Sequence, residues 1–276
     1  MYELKSENGT HCASIIVFEE DGRARAMAVS WEKGVDDLPD ESAFRRAIES
    51  SVKECKEKGA LYIDSRVITA TEGVDEALMS ARAALHRDCL SARGFRRGED
   101  RVEYRMDLAD ALTALAALDA PESAGELVWS CVDAESESDL ARAAGLFLKA
   151  SEGDPASHSD DDAMGFLRVL MGDKETVQAP ERLQIGMCGN DPAAVLALMV
   201  RPSDGWSTIY YLGVLPAFRR RGFGRAAMLQ AFHSLKAMGG KIYHDGTGSD
   251  NAAARALFAR LGRPPFRVME EWRLKS

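Results

Sequence analysis

One stretch, residues 208–228, admits few conformations. Residues 208–214 are mostly β-branched and aromatic, which favours a strand. Pro216 ends it, because proline has no N–H to give to a ladder. Arg219-Arg220-Arg221 follow, then Gly222 and Gly224. After them Met228, Phe232, Leu235 and Met238 recur at spacings of 4, 3 and 3, the repeat of an amphipathic helix. Gly239-Gly240 stops that helix. Strand, turn and glycine-opened helix are thus fixed in order.

Such a turn suits an anion. The first N–H groups of a helix have no internal partner, and the helix dipole adds positive potential there. Gly222 and Gly224 bring no side chains, so a phosphate can approach the main chain closely. Arg219, Arg220, Arg221 and Arg225 add cations that pair with phosphate, often through two bonds. The sum reads as a pyrophosphate site.

Gly222-Phe223-Gly224-Arg225-Ala226-Ala227 also fits the dinucleotide pattern G-x-G-x-x-A, with Asp245 about twenty residues on. Three features oppose that reading. Residues 215–219 and an arginine run separate strand from glycines, where the dinucleotide turn is tight. Too little chain follows for two mononucleotide halves. No similar pattern opens the sequence. A P-loop is excluded, since no G-x-x-x-x-G-K-[ST] occurs.

Val214 followed by Arg219-x-x-Gly222-x-Gly224 resembles the acetyl-CoA motif of the GNAT acetyltransferase superfamily, [RQ]-x-x-G-x-[GA] after a bulged strand. Asn251-Ala-Ala-Ala254-Arg-Ala-Leu257-Phe258-Ala-Arg-Leu261-Gly262 resembles that family's later helix, N-x-x-A-x-x-L-Y-x-x-L-G. The two motifs occur in the family's order, with a helix and a strand between them. The likeness covers the C-terminal half well and the N-terminal half faintly.

In chain order, 13–18 and 23–31 alternate like strands around a turn at Glu20-Asp21-Gly22. A helix is expected over 41–58, with Phe44, Ile48 and Val52 on one face, then a strand over 61–68. A second helix over 75–90 carries Leu78, Ala81, Leu85 and Cys89, and a strand over 101–106 follows. This order looks like the back half of a GNAT domain, an internal duplication without R-x-x-G-x-G. A helix over 108–118 links the copies, ended by Pro121-Glu122-Ser123. The second copy reads strand 127–132, a helix capped by Asp139 and running to 149, a loop over 152–159 and a helix over 160–171. Strands at 182–188, 194–201 and 207–214 are joined by turns at Asn190-Asp191-Pro192 and Ser203-Asp204-Gly205. Beyond the glycine helix come strand 241–245, the helix from Asn251, and a last strand over 266–274. The expected class is α/β (α+β): a mixed, mostly antiparallel sheet flanked by helices, in two tandem domains. Their boundaries are 1–107, a linker 108–124, and 125–276.

The 276 residues suffice for a core without disulfides. Five cysteines, Cys12, Cys55, Cys89, Cys131 and Cys188, form no C-x-x-C pair and suggest a reducing, cytoplasmic setting. No apolar run reaches membrane-spanning length, and the polar N-terminus is no signal peptide. Residues 219–276 hold twelve Lys and Arg against four Asp and Glu, inside a chain of net charge -9. A basic segment in an acidic chain suits a polyanionic small molecule such as CoA. Nucleic acid would need a broad basic surface. The histidines His11, His86, His158 and His233 show no metal-ligand spacing, so no metal is expected.

The resemblance implies two strands splayed in a V that holds acetyl-CoA. Its pyrophosphate would lie on residues 219–225, Phe223 included. Its pantetheine arm would pair with the backbone of Leu212, Gly213 and Val214 and meet Asn251. A backbone N–H near Val214 would polarise the thioester carbonyl. An amine acceptor, a small molecule or a peptide N-terminus, would attack directly, so that catalysis is largely positioning. Phe258 occupies the place where the family often has a proton-donating Tyr. Thr208 stands where it often has a Glu base. Tyr243, as acid, and His244 with Asp245, as base and its orienter, are the candidates to replace them. Period 2 puts Trp206, Thr208, Tyr210 and Leu212 on one strand face and Ser207, Ile209 and Tyr211 on the other. The activity expected is N-acetyl transfer. The alternative is a non-catalytic, acyl-CoA-binding sensor or scaffold. A homodimer is left open.

Overall fold

The computed structural model describes residues 1–21, 24–118, 126–153 and 163–275. The turn residue Gly22, the stop at Pro121-Glu122-Ser123, and most of the expected 152–159 loop and the start of the 160–171 helix lie outside the described residues. The chain divides into two compact units. The first comprises Met1–Val102, Gly248–Asp250 and Pro265–Ser276, the second Glu103–Thr247 and Asn251–Pro264.

In the first unit, β1 (Tyr2–Lys5), β2 (His11–Asp21) and β3 (Ala24–Trp31) run antiparallel in sequence. β4 (Tyr62–Thr71) then pairs with β3 in parallel, from Ala24↔Tyr62 to Met27↔Ser65. A parallel neighbour needs a crossover, and α1 (Glu41–Glu57) supplies it. Phe44, Ile48 and Val52 face inward as their spacing predicts. They pack with Ile15, Met27, Ile63 and Leu90 of the core. α2 (Glu76–Ala92) covers β4, but its buried stripe is Met79, Arg82, Ala83, His86, Cys89 and Leu90. That stripe is turned from the expected Leu78, Ala81 and Leu85. Polar residues enter it because they find partners. Arg82 lies 4.9 Å over the Trp31 ring and donates to the Val35 carbonyl. His86 meets the Ser65 hydroxyl at 3.2 Å.

β5 (Arg96–Asp107) begins in the first unit and continues from Glu103 in the second. α3 (Leu108–Ala116) is part of the second unit and packs on its long helix, rather than standing as a linker. β6 (Val128–Cys131), β7 (Leu183–Cys188), β8 (Asp191–Val200) and β9 (Trp206–Val214) form an antiparallel run. β8 is an almost unbroken buried apolar run, the mark of a strand covered on both faces. One face carries Val195 and Ala197 against α4 (Glu137–Ala150) and α5 (Ala163–Gly172). The alternate residues face α6 (Phe223–Ala237). The cap of α4 is Ser136, which accepts the Asp139 N–H at 3.4 Å, so the helix starts before the Asp139 that the sequence suggested.

β10 (Ile242–Gly248) lies parallel to β9, and α7 (Ala252–Ala259) follows it. The last strand, β11 (Arg267–Lys275), belongs to the first unit. It pairs with β4 from Arg267↔Thr71 to Lys275↔Tyr62. Periodicity identifies this strand but says nothing of which strand it joins, hence the expectation that it completes the second domain.

Candidate active site

β9 and β10 are in register only at Trp206↔Ile242 and Ser207↔Tyr243. Beyond these two pairs β9 continues to Val214 and β10 to Gly248 without pairing to each other. The strands part, as a V requires. β9 carries a bulge as well. Ala197 faces Tyr211 while the next residue, Leu198, faces Ile209, so Tyr210 is the extra residue at this shift of register. The extra residue breaks the period of 2. Tyr211 packs on Phe147 at 3.9 Å and Tyr210 on Phe166 at 5.2 Å, so both tyrosines sit on the α4–α5 face. The expected separation of Tyr210 from Tyr211 onto opposite faces is therefore corrected. Strict alternation holds only for an unbulged ladder.

β9 leads through Pro216 to the arginine-glycine loop. Arg220 has φ +62 and Gly222 φ +85. Gly222 is the residue before α6, and no side chain caps that helix. Among the described residues, the α-helices α1, α2, α3, α4 and α7 are capped by Asp40, Asp75, Asp107, Ser136 and Asn251. The N–H groups at the start of α6 are left to another acceptor. A Cβ at Gly224 would have nothing within 4 Å, so the loop is open on that side. Gly213 differs. A Cβ there would lie 2.6 Å from both the Ala150 Cβ and the Tyr211 hydroxyl, so this glycine permits close packing of α4 on β9.

With that geometry in view, the chain can be set beside known proteins. Residues 158–262 match the acetyltransferase (GNAT) family. This segment is a GNAT domain. A mycothiol acetyltransferase of Beutenbergia cavernae is 31% identical over 121 residues, 42% of this chain and 40% of that one. The match thus spans less than half of the relative's length. A GCN5-related N-acetyltransferase of Sphaerobacter thermophilus superposes with a TM-score of 0.62 at 10% identity, over 99% of this chain and 79% of that one. A tandem GNAT protein of the clavulanic acid biosynthesis pathway gives 0.61 at 12%, over 98% and 80%. At such identities these two likenesses concern the fold alone.

Within the GNAT domain the remaining candidates take distinct places. Tyr243 is fully buried, its ring against Phe232 at 4.7 Å. Its hydroxyl donates to Asp245 at 2.7 Å, and burial raises its pKa well above the ordinary value. His244 is half-buried. Its Nδ1 accepts the Trp206 indole N–H at 3.2 Å, and its Nε2 faces Glu103 at 3.4 Å. That arrangement specifies the tautomer with the proton on Nε2. Asp245 also accepts the Gly246 N–H at 2.7 Å. Asn251 Oδ1 caps α7 through the Ala254 N–H at 3.1 Å. Phe258 is buried and stacks on Tyr104 at 4.2 Å. The sequence gives no sign of Glu103 and Ala150, which reach the site from distant elements, and places Trp206 on a face of β9 without marking its bond to His244. No spacing signal marks them.

Among the described residues no group of three or more His, Cys, Asp or Glu could hold a metal ion. No described helix is long and apolar enough to cross a membrane.

Proposed function

We propose that this chain is an acetyl-CoA-dependent N-acetyltransferase and that its GNAT domain carries both cosubstrate and reaction. One observation supports this most: residues 215–222 lead from β9, whose parallel neighbour leaves it after two residue pairs, to the start of α6, which no side chain among the described residues caps. An open strand edge in series with a bare helix N-terminus suits a ligand that has an amide-bearing arm and a pyrophosphate.

In this reading the N–H groups at the start of α6 hold the pyrophosphate, with Arg220 and Arg221 beside them. The backbone of Leu212, Gly213 and Val214 pairs with the arm. Asn251 keeps its Nδ2 donor for an amide carbonyl while Oδ1 caps α7. Bound acetyl-CoA supplies an activated acetyl thioester. A backbone N–H near Val214 steadies the oxyanion. The acceptor is an amine of a small molecule or a peptide N-terminus, and it attacks directly, without an acyl-enzyme. The buried hydroxyl of Tyr243 is committed to Asp245, and Phe258 has no proton to give, so we assign both to packing. His244, held against Glu103, is the group left to take the acceptor's proton once the Trp206 N–H releases Nδ1. The first unit serves as a degenerate copy that binds no CoA. Five cysteines without disulfides suit a cytoplasmic protein.

The test is calorimetric titration with acetyl-CoA, followed by thiol release with a panel of amines. Saturable binding and an intersecting, sequential rate pattern are expected. A ping-pong pattern overturns direct attack. Binding without thiol release from any amine favours the acyl-CoA sensor instead. No binding removes both.

A further inference from the structure

The arginines that flank the glycine loop reach away from it, each to the end of a different helix. Arg219 Nε donates to the Val214 carbonyl at 3.1 Å, and its Nη2 to the Ala150 carbonyl at 3.0 Å. Ala150 is the last residue of α4. Arg225 Nη2 donates to the Leu115 carbonyl at 3.0 Å and to that of Leu118. These lie in the last turn of α3 and just past it. Helix C-termini present unpaired carbonyls and negative potential, so both cations are well placed and partly neutralised there.

The Nε–Nη2 edge is one of those with which a guanidinium grips two oxygens of a phosphate. In Arg219 both of those atoms are taken. In Arg225, Nη2 serves two carbonyls, and Nε is buried with no hydrogen-bond partner among the described residues. The central arginines differ. Arg221 lies 5.5 and 5.3 Å over the rings of Phe218 and Phe223, and Arg220 is exposed.

We infer that Arg219 and Arg225 are positioning residues that brace the anion loop between the C-termini of α4 and α3. Contact with phosphate is left to the loop N–H groups, Arg220 and Arg221. This inference rests on the pyrophosphate reading of the loop. The backbone explains the need. A non-glycine residue at positive φ, here Arg220, is strained and persists only where its surroundings hold it. Arg219 closes the turn from Val214 with its own side chain. Arg225 fixes the first turn of α6. The end of α4 is itself anchored, since the Tyr211 hydroxyl meets Ser151 Oγ at 2.8 Å and donates to the Phe147 carbonyl at 3.2 Å.

The experiment compares Arg219→Gln, Arg225→Gln, Arg220→Gln and Arg221→Gln in the full chain. Acetyl-CoA affinity is measured at several salt concentrations, and amide exchange of residues 220–226 without ligand. Arg220→Gln and Arg221→Gln are expected to flatten the salt dependence and leave ligand-free exchange unchanged. Arg219→Gln and Arg225→Gln are expected to weaken binding about tenfold through lost preorganisation, keep the wild-type salt slope, and speed exchange of the loop. A flattened slope with unchanged exchange in either of the latter overturns the inference. If the wild type binds no acetyl-CoA, the pyrophosphate reading fails on its own, and exchange still decides: faster exchange supports bracing, unchanged exchange overturns it. Should a Gln variant not fold, Arg219→Lys keeps the charge but cannot span two carbonyls. Faster exchange at wild-type slope then supports bracing, and wild-type exchange overturns it.

Discussion

Each unit crosses from a strand to its parallel neighbour through one helix, and the two helices start in opposite ways. In the first unit, β3–α1–β4, the Asp40 carboxylate accepts the Ala43 N–H at 2.7 Å, and Glu41 follows in the first turn. The approach carries Glu32, Asp36 and Asp37. In the second, β9–α6–β10, the residue before the helix is a left-handed glycine, and the approach carries Arg219, Arg220 and Arg221. A parallel crossover supplies a positive helix start in both cases. In the first unit the chain's own carboxylate occupies it; in the second it is left open. The topology provides the site, and the cap residue decides whether a ligand can use it.

The largest effect should come from giving α6 the start that α1 has. Asp and Asn both tolerate the left-handed region, so Gly222→Asp and Gly222→Asn differ mainly in charge. Gly222→Asn should weaken acetyl-CoA binding several-fold, because its side chain competes for the same N–H groups. Gly222→Asp should lose roughly a further tenfold or more, since a carboxylate then faces the phosphates. Titration calorimetry of the two folded variants measures the difference. Equal losses would mean that shape alone, and not the positive helix start, selects the ligand.

The reverse change is smaller. Asp40→Ala removes a cap and should destabilise the first unit by about 1 kcal/mol, a drop of a few degrees in melting temperature. It should create no CoA affinity, since Glu41 stays in the first turn and Asp36 and Asp37 in the segment that leads to it. Measurable binding of CoA that depends on Asp40→Ala would show that the cap alone separates the two units.

Much of this contrast is legible in the sequence. Pro216, the arginine run and the paired glycines dictate strand, turn and helix start with little help from the rest of the chain. Asp40 before an apolar 3–4 repeat announces a capped helix equally well. What stays hidden depends on tertiary geometry. The bulge at Tyr210 leaves no local mark, yet it turns two tyrosines onto one face. The stripe of α2 is misread because Arg82 and His86 enter the core on the strength of distant partners, Trp31, Val35 and Ser65. The arginines of the loop invite assignment to phosphate, and only the helix ends at Ala150 and Leu115 show what Arg219 and Arg225 hold. Composition reveals that a residue can bind an anion, but not that a carbonyl has already claimed it.

The smallest effect separates the titrating groups of the first unit. Burial pushes the His86 pKa down from 6.5 to about 3. Folded His86 therefore stays neutral where the unfolded imidazole takes a proton. Its contribution is complete above pH 6.5 and is lost as pH falls towards 3, by up to about 1.4 kcal/mol per pH unit. Glu99 has the opposite sign. Its hydrogen bond with Asp250, and then burial, raise its pKa from 4.5 to about 7. Its contribution is complete below pH 4.5 and is lost as pH rises through 7. From pH 4.5 to 6.5 the two groups oppose each other. Glu99→Gln keeps a neutral side chain at every pH. It should raise the melting temperature by about 1–2 °C at pH 8 and leave it unchanged at pH 5. An equal rise at both values would mean that folded Glu99 does not hold a proton at pH 5. If the rise appears only at pH 8, the acid loss that remains in Glu99→Gln has lost its opposing partner. It should then steepen between pH 6.5 and 4.5, as a buried neutral histidine requires.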